Sequence, residues 1–354
     1  MKDSENIFAQ FNKKSQSEST SNSSEKAPEQ FDNQLSGNLK TSSENPTISI
    51  NENSWNDKIP SDNDFDDSRS RNNLQPLPFN QTLNKDSTKI PSEFQTAASL
   101  LLERQNAPRI PTGSKAMNRL LGGGVESKSI TEFYGAYTTG KTQTSIQLAF
   151  NVALDVEHGG LNAHAVYIDT EGSFRPERII QMANEIGVNP KTILNRIFVG
   201  RAHNSDIQIQ LTENVYSLAE TNNVKLLIID SLTSTFRAEY VGKGALMDRQ
   251  QKLNQHIRQI SKLADQLGIA VVVTNQVSAV IDGYEQTIIP VGGNILAHGT
   301  THRIQFTKSH KYPTIRFAKL IASPSLPETT ISFEITQGGI TDVSITSFNP
   351  EEEI

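Results

Sequence analysis

The 354-residue chain has no cysteine. Disulfides, thiolate metal sites and thiol catalysis are therefore excluded, and the composition suits a reducing compartment. No apolar run approaches the roughly 20 residues that a membrane-spanning helix needs. The opening Met1-Lys2-Asp3-Ser4-Glu5-Asn6 lacks the apolar stretch of a signal peptide, so none is expected, nor is a membrane partner. Positive charge is also in short supply: 33 Lys and Arg face 39 Asp and Glu, a formal net charge of −6. The first 90 residues carry 10 Lys and Arg against 14 Asp and Glu, which leaves 23 against 25 in the remainder. That remainder is close to neutral, so a nucleic-acid site on it has to be a local stripe and not a basic body. No internal repeat is found.

What the chain has in quantity is Ser, Asn, Asp, Glu and Gln, concentrated in residues 1–88. Ser61-Asp62-Asn63-Asp64-Phe65-Asp66-Asp67-Ser68 is typical. Such a stretch buries too little apolar surface to offset its chain entropy and is expected to be a disordered tail. The lone Trp55 and Phe65 are either anchors for a partner or isolated aromatics in an unstructured segment. From about Ile90 onward the pattern changes. A helix is predicted over Ser99–Gln105 and another over about Ser114–Leu121, stopped by Gly122-Gly123-Gly124.

The rest of the chain is organised around Gly135-Ala136-Tyr137-Thr138-Thr139-Gly140-Lys141-Thr142, followed by Gln143. This fits G-x-x-x-x-G-K-[ST], preceded by an apolar strand at 129–134 and followed by a helix at Thr144–Leu154, the context in which such a loop binds phosphate. Loop N–H groups and a helix N-terminus favour anionic phosphates. Lys141 is expected to reach the β- and γ-phosphates, and Thr142 to hold Mg²⁺ through its hydroxyl. Further strands are predicted at His164–Glu171, Arg196–Val199, Lys225–Asp230 and Ile269–Gln276. Helices are predicted at Pro176–Glu185, Ile207–Ala219 and Asp248–Leu267. Strands alternating with helices imply an α/β fold with a mostly parallel sheet covered on both faces. The short alternating strands of 303–346 look like antiparallel additions to one sheet edge.

Ligands of open α/β sheets bind beyond the carboxyl ends of the strands, and three strands here end in groups that an NTPase needs. Asp230 closes the most apolar strand and suits Mg²⁺ binding; its plain alternative is a strand-end cap. Glu171 is a candidate general base, with Asp169 competing for the role. Gln276 is placed to sense a γ-phosphate, or is simply a polar residue in a turn. Between these strands lie two loops. The first, Thr233–Met247, carries Phe236, Arg237, Tyr240 and Lys243 and leads to Arg249, cations among aromatics that suit single-stranded nucleic acid. The second, Val277–Gly292, carries Ile281 and no Lys or Arg, and an apolar residue there suits wedging between bases.

Taken together, these segments resemble the RadA-type recombinases of archaea and their eukaryotic counterparts, within the RecA class. The resemblance runs from about Ile90 to the end. It is carried by Thr112-Gly113-Ser114-Lys115, the phosphate loop, and Tyr167-Ile168-Asp169-Thr170-Glu171-Gly172-Ser173-Phe174-Arg175-Pro176-Glu177-Arg178. Asp248–Asn254, Thr274–Val277, Val291–His298 and Ser323-Pro324-Ser325-Leu326-Pro327-Glu328 extend it. It implies a RecA-like ATPase domain over 109–354, a polymerisation segment with linker helix at 89–108, and a tail over 1–88. It implies ATP and Mg²⁺ as ligands, with Glu171 in place of the catalytic carboxylate and Arg178 against the adenine. Gln276 would link the γ-phosphate to the second loop. Arg237, Lys243 and Arg249 would contact DNA phosphates, with Ile281 as the wedge. Phe94 and Ala97 match an F-x-x-A motif that adds a strand to a neighbouring copy, giving a filament or ring.

Three departures from the family accompany this. The N-terminal helix-hairpin-helix domain has no counterpart, the second loop is short, and Ala322 replaces an acidic residue before Ser-Pro in the segment that caps a neighbour's ATP. The resemblance implies an ATP-dependent recombinase, with single- and double-stranded DNA as partners and a cytoplasmic, nucleoid-associated location. The alternative is a paralogue that regulates a separate recombinase without exchanging strands. A hexameric helicase of the same class fits poorly, because Phe94–Ala97 and Asp248–Asn254 match recombinases.

Overall fold

A computed structural model describes residues 94–344 other than 243, 283 and 284, and at 279–288 the backbone alone. In chain order it contains α1 (Ala97–Asn106), β1 (Arg109–Ile110), α2 (Lys115–Leu120), β2 (Val125–Glu126), β3 (Ile130–Gly135) and α3 (Lys141–Ala153). There follow β4 (His164–Asp169), α4 (Pro176–Glu185), α5 (Pro190–Leu194), β5 (Ile197–Arg201), α6 (Ser205–Glu213), α7 (Val215–Thr221) and β6 (Val224–Asp230). Then come α8 (Ser234–Glu239), α9 (Leu246–Leu267), β7 (Ala270–Asn275), β8 (Val277–Asp282), β9 (Glu285–Pro290) and α10 (Gly293–Gly299). The described chain closes with β10 (His302–Lys308), β11 (Ile315–Ala322), β12 (Thr329–Thr336) and β13 (Gly339–Thr341).

Nine strands form one sheet in the order β13-β12-β11-β10-β3-β7-β6-β4-β5. The run from β10 to β5 is parallel throughout, and β11, β12 and β13 continue it antiparallel. The α/β architecture with an antiparallel C-terminal edge is as the sequence implied. One detail differs. β10 pairs parallel with β3, His302 opposite Thr131 through Phe306 opposite Gly135, so the antiparallel addition begins one strand later than expected. The reason is α10, which follows the β8–β9 hairpin and carries the chain back to the start of the sheet.

The two faces explain the sequence pattern. Along β6, Leu226 and Ile228 enter one core while Leu227 and Ile229 enter the other. Ala270 and Val272 of β7 likewise part from Val271 and Val273, and Ala165 and Tyr167 of β4 from Val166 and Ile168. Both faces are buried, so these strands read as unbroken apolar runs. Each fully buried large side chain contributes about 1.5–3 kcal/mol. α3, α4 and α5 cover the first face, and α6 to α10 the second.

Three elements depart from expectation. The helix over 207–219 is two helices that meet at Asn214, which is both the C-terminal cap of α6 and the N-terminal cap of α7. The first loop is partly folded: Phe236 is fully buried and pins α8 within it. The second loop is a two-stranded hairpin, Val277 opposite Pro290 through Asp282 opposite Glu285. Among the described residues no helix is long and apolar enough to cross a membrane. The tail over 1–88, with Trp55 and Phe65, lies outside the described residues, as do Lys243 and the Ile281 side chain.

Candidate functional site

The loop between β3 and α3 needs its glycines. Gly135 has φ 157°, and a Cβ there would stand 2.3 Å from the Phe306 carbonyl; Gly140 sits at φ 102°, where a Cβ would meet Ile335 at 2.9 Å. Gly140 caps α3 without any side-chain hydrogen bond, and the first turn of α3 carries no acid. The leading N–H groups of this 13-residue helix therefore point at the loop with no carboxylate of their own to satisfy them, a fit for an anion. Lys141 Nζ donates across the loop to the carbonyls of Gly135 (2.9 Å) and Ala136 (2.8 Å). Burial lowers its pKa from the usual lysine range, opposed by the nearby Asp230 and Glu171 carboxylates.

These residues line a cleft of about 580 Å³ that runs from Gly135 to Gln143 and brings in Glu171, Ser173, Asp230, Ser231, Thr274, Gln276 and Arg316. Asp230, 2 % exposed at the end of β6, is held by three hydroxyls. Tyr167 (2.6 Å) and Ser173 (3.3 Å) donate to one oxygen and Thr274 to the other. Burial and the neighbouring carboxylates push the Tyr167 phenol well above its ordinary range, which keeps it a donor. Thr142 lies at the start of α3 in the same cleft. A hydroxyl and a hydroxyl-supported carboxylate are oxygen donors of the kind Mg²⁺ takes.

Glu171 does not end its strand. β4 stops at Asp169, whose carboxylate turns back and accepts from the N–H groups of Glu171 (3.1 Å), Gly172 (2.7 Å), Ser173 (3.1 Å) and Phe174 (3.2 Å), with Arg201 donating at 3.0 Å. Asp169 is 5 % exposed and spent on this loop, whereas Glu171 is delivered, exposed, to the cleft. There Glu171 Oε1 accepts from Gln276 Nε2 and from Ser231 Oγ, both at 2.8 Å. Gln276 joins β7 to the hairpin, whose base is closed by Val291 N to Gln276 O (3.0 Å) and Asn275 Nδ2 to Val291 O (2.7 Å).

The other expected residues lie apart from this centre. Arg178 on α4 donates to Gln143 Oε1 (2.9 Å) and to the carbonyls of Gln337 (2.6 Å) and Thr336 (2.5 Å), beside the loop but not lining the cleft. Arg237 on α8 is exposed and Arg249 on α9 half-buried. Phe94 is 70 % exposed, and Ala97 is exposed at the start of α1. Sequence reasoning missed Arg316 of β11, which donates to the Thr138 carbonyl at 3.2 Å, and Ser231 and Ser173. Only the pairing of β11 through β10 to β3 brings Arg316 there, and no local pattern marks it.

The strand, glycine loop and helix, on a nine-stranded sheet with acids at its strand ends, define a phosphate-loop NTPase. A family model described as Rad51 matches residues 103–343. The DNA repair and recombination protein RadA of Ignicoccus hospitalis is 46% identical over 255 residues, 70% of this chain and 77% of that protein. The chain belongs to the Rad51/RadA family of recombinases, which are DNA-dependent ATPases, and its nucleotide is accordingly ATP.

Proposed function

We propose that this recombinase assembles on single-stranded DNA with ATP and Mg²⁺ and promotes homologous pairing with a duplex and strand exchange in repair. The observation that carries this reading is Gln276. It bonds Glu171 at the cleft, and the next residue along, Val277, opens the β8–β9 hairpin. A change at the cleft and a change at the hairpin thus share one side chain. Glu171 positions and deprotonates the attacking water, Lys141 and the α3 N-terminus hold phosphate, and Arg178 supports the adenine side of the loop. Thr142 and Asp230 would hold Mg²⁺, which would supply neutralisation of phosphate charge. Arg237, Lys243 and Arg249 contact the DNA backbone, and Ile281 of the hairpin wedges between bases. The location that follows is the cytoplasm, on the nucleoid.

Assembly proceeds through Phe94 and Ala97. α1 buries none of its residues, and Leu100, Leu101 and Leu102 are 42%, 52% and 45% exposed beside Phe94. β5 is the outer strand of the sheet, and beside it Val166, Ile168, Phe198, Leu211 and Leu218 line an apolar pocket of about 350 Å³. An extended segment entering along β5 gains backbone hydrogen bonds while Phe94 fills the pocket, the edge-addition mode. Head-to-tail repetition gives a filament, or a ring where the rotation closes.

One observation favours a second reading, a paralogue that supports another recombinase. β11 ends on Ala322, followed by the Ser323 turn that accepts from Ser325 N (3.3 Å) and Leu326 N (3.0 Å), where the related recombinases place an acid against a neighbour's ATP. Strand exchange between homologous oligonucleotides, with ATP and Mg²⁺, separates the two. Exchange by this protein alone supports the first reading; exchange only on adding a second recombinase supports the other.

A further inference from the structure

The hydrogen bonds that leave Glu171 do not stop at Gln276. Gln276 presents its amide N–H to Glu171 and its amide oxygen in the other direction, where Arg237 Nη1 donates to it at 3.3 Å. A cation expected to meet DNA is thus two hydrogen bonds from the expected base. α8, which carries Arg237, is firmly seated. Phe236 is fully buried against His256, Thr235 Oγ1 donates to Gln208 Oε1 at 2.6 Å, and Glu239 accepts from the backbone N–H (2.5 Å) and hydroxyl of Ser205 at the start of α6. The backbone at 237 is fixed, so the guanidinium has a short list of places to be.

We propose that Arg237 is a positioning residue that reports bound DNA to Glu171 through Gln276. With no strand bound, Arg237 holds the Gln276 oxygen and so aims its amide N–H at Glu171. Glu171 Oε1 then accepts two hydrogen bonds, from Gln276 and Ser231, so the lone pairs of that oxygen are engaged and the carboxylate is held by them. The Arg237 contact lies just beyond the usual N–H···O range of about 2.7–3.2 Å and has a neutral acceptor. A DNA phosphate accepts two parallel charge-assisted bonds from the same guanidinium and displaces it. Gln276 is then free to turn from Glu171 to the γ-phosphate side of the cleft, and Glu171 is free for water. No bond is made or broken in the relay; only hydrogen-bond partners are exchanged.

This inference rests on the ATPase reading above and adds to it the residue that couples the first DNA-contacting element, α8, to the chemistry. The test is steady-state ATP hydrolysis by the full chain with Mg²⁺, with and without oligo-dT. Loss of a DNA contact alone leaves the DNA-free rate where it was. Release of Glu171 raises it. Arg237→Ala is expected to raise the DNA-free kcat about fivefold, a small share of the roughly 10²–10⁴ that a positioned base supplies, with KM for ATP unchanged. Oligo-dT should then add less than about twofold, where full stimulation of the unaltered chain is seen. Arg237→Lys, which keeps a cationic donor, should restore the low DNA-free rate, and circular dichroism melts of both variants should match the unaltered chain. A DNA-free kcat for Arg237→Ala equal to or below that of the unaltered chain overturns the relay while DNA stimulation of the unaltered chain leaves the ATPase reading standing. Absence of hydrolysis by the unaltered chain overturns both.

Discussion

His256 shows how a single side chain sets a condition for the fold. It is 1% exposed beneath α8, against the Phe236 ring and with Gln208 (3.3 Å) and Gln259 (3.5 Å) at its two nitrogens. Burial pushes its pKa down to about 4. The unfolded chain takes up that proton near pH 6.5 while the folded chain stays neutral, so this contribution to stability is complete above pH 6.5 and is lost as pH falls toward 4. The loss amounts to about 1.4 kcal/mol by pH 5.5. Urea unfolding of His256→Gln should fall less between pH 7.5 and 5.5 than that of the unaltered chain, by about 1 kcal/mol; equal falls would contradict the burial argument. Residue identity was legible where the chemistry is local, as in the glycines, Lys141 and Thr142. It was not where a side chain's partners come from distant strands. The residues alone leave Asp169 and Glu171 competing and the family resemblance points to Glu171; Arg201 of β5, with the N–H groups of 171–174, shows that Asp169 holds the turn while Glu171 faces the cleft.

At the scale of elements, burial on both faces made β4, β6 and β7 readable, since each is a near-continuous apolar run. The two loops were not readable as structure. α8 exists because one phenylalanine packs against α9, and the β8–β9 hairpin because two short runs pair with each other, facts of tertiary context that no local period carries. The same context gives α1 its meaning. This 10-residue helix buries none of its residues and leaves Leu100, Leu101 and Leu102 exposed, which is what the proposed assembly would use. On the proposed assembly, substituting Phe94 with Glu would place a charge in a neighbour's apolar pocket, at a cost of several kcal/mol, and should shift the protein to monomers in light scattering. Assemblies of unchanged mass would mean that another surface drives association.

The whole molecule joins two demands through one sheet. Its parallel strands deliver Gly135, Glu171, Asp230 and Gln276 to one end, and the outer strand β5 offers an edge on which a second copy can add. The fold class and the family were both legible in the order of motifs, because that order encodes the crossovers. The strand order itself was not, since β10 enters beside β3 after α10 and brings Arg316 to the phosphate loop with it. The central claim is that this cleft turns over ATP in response to DNA. The most direct measurement is ATP hydrolysis by the full chain with Mg²⁺, with and without oligo-dT, compared with Lys141→Ala. Hydrolysis that rises with DNA and falls by about 100-fold or more in Lys141→Ala is the predicted result. No hydrolysis by the unaltered chain, or an undiminished rate in Lys141→Ala, would contradict it.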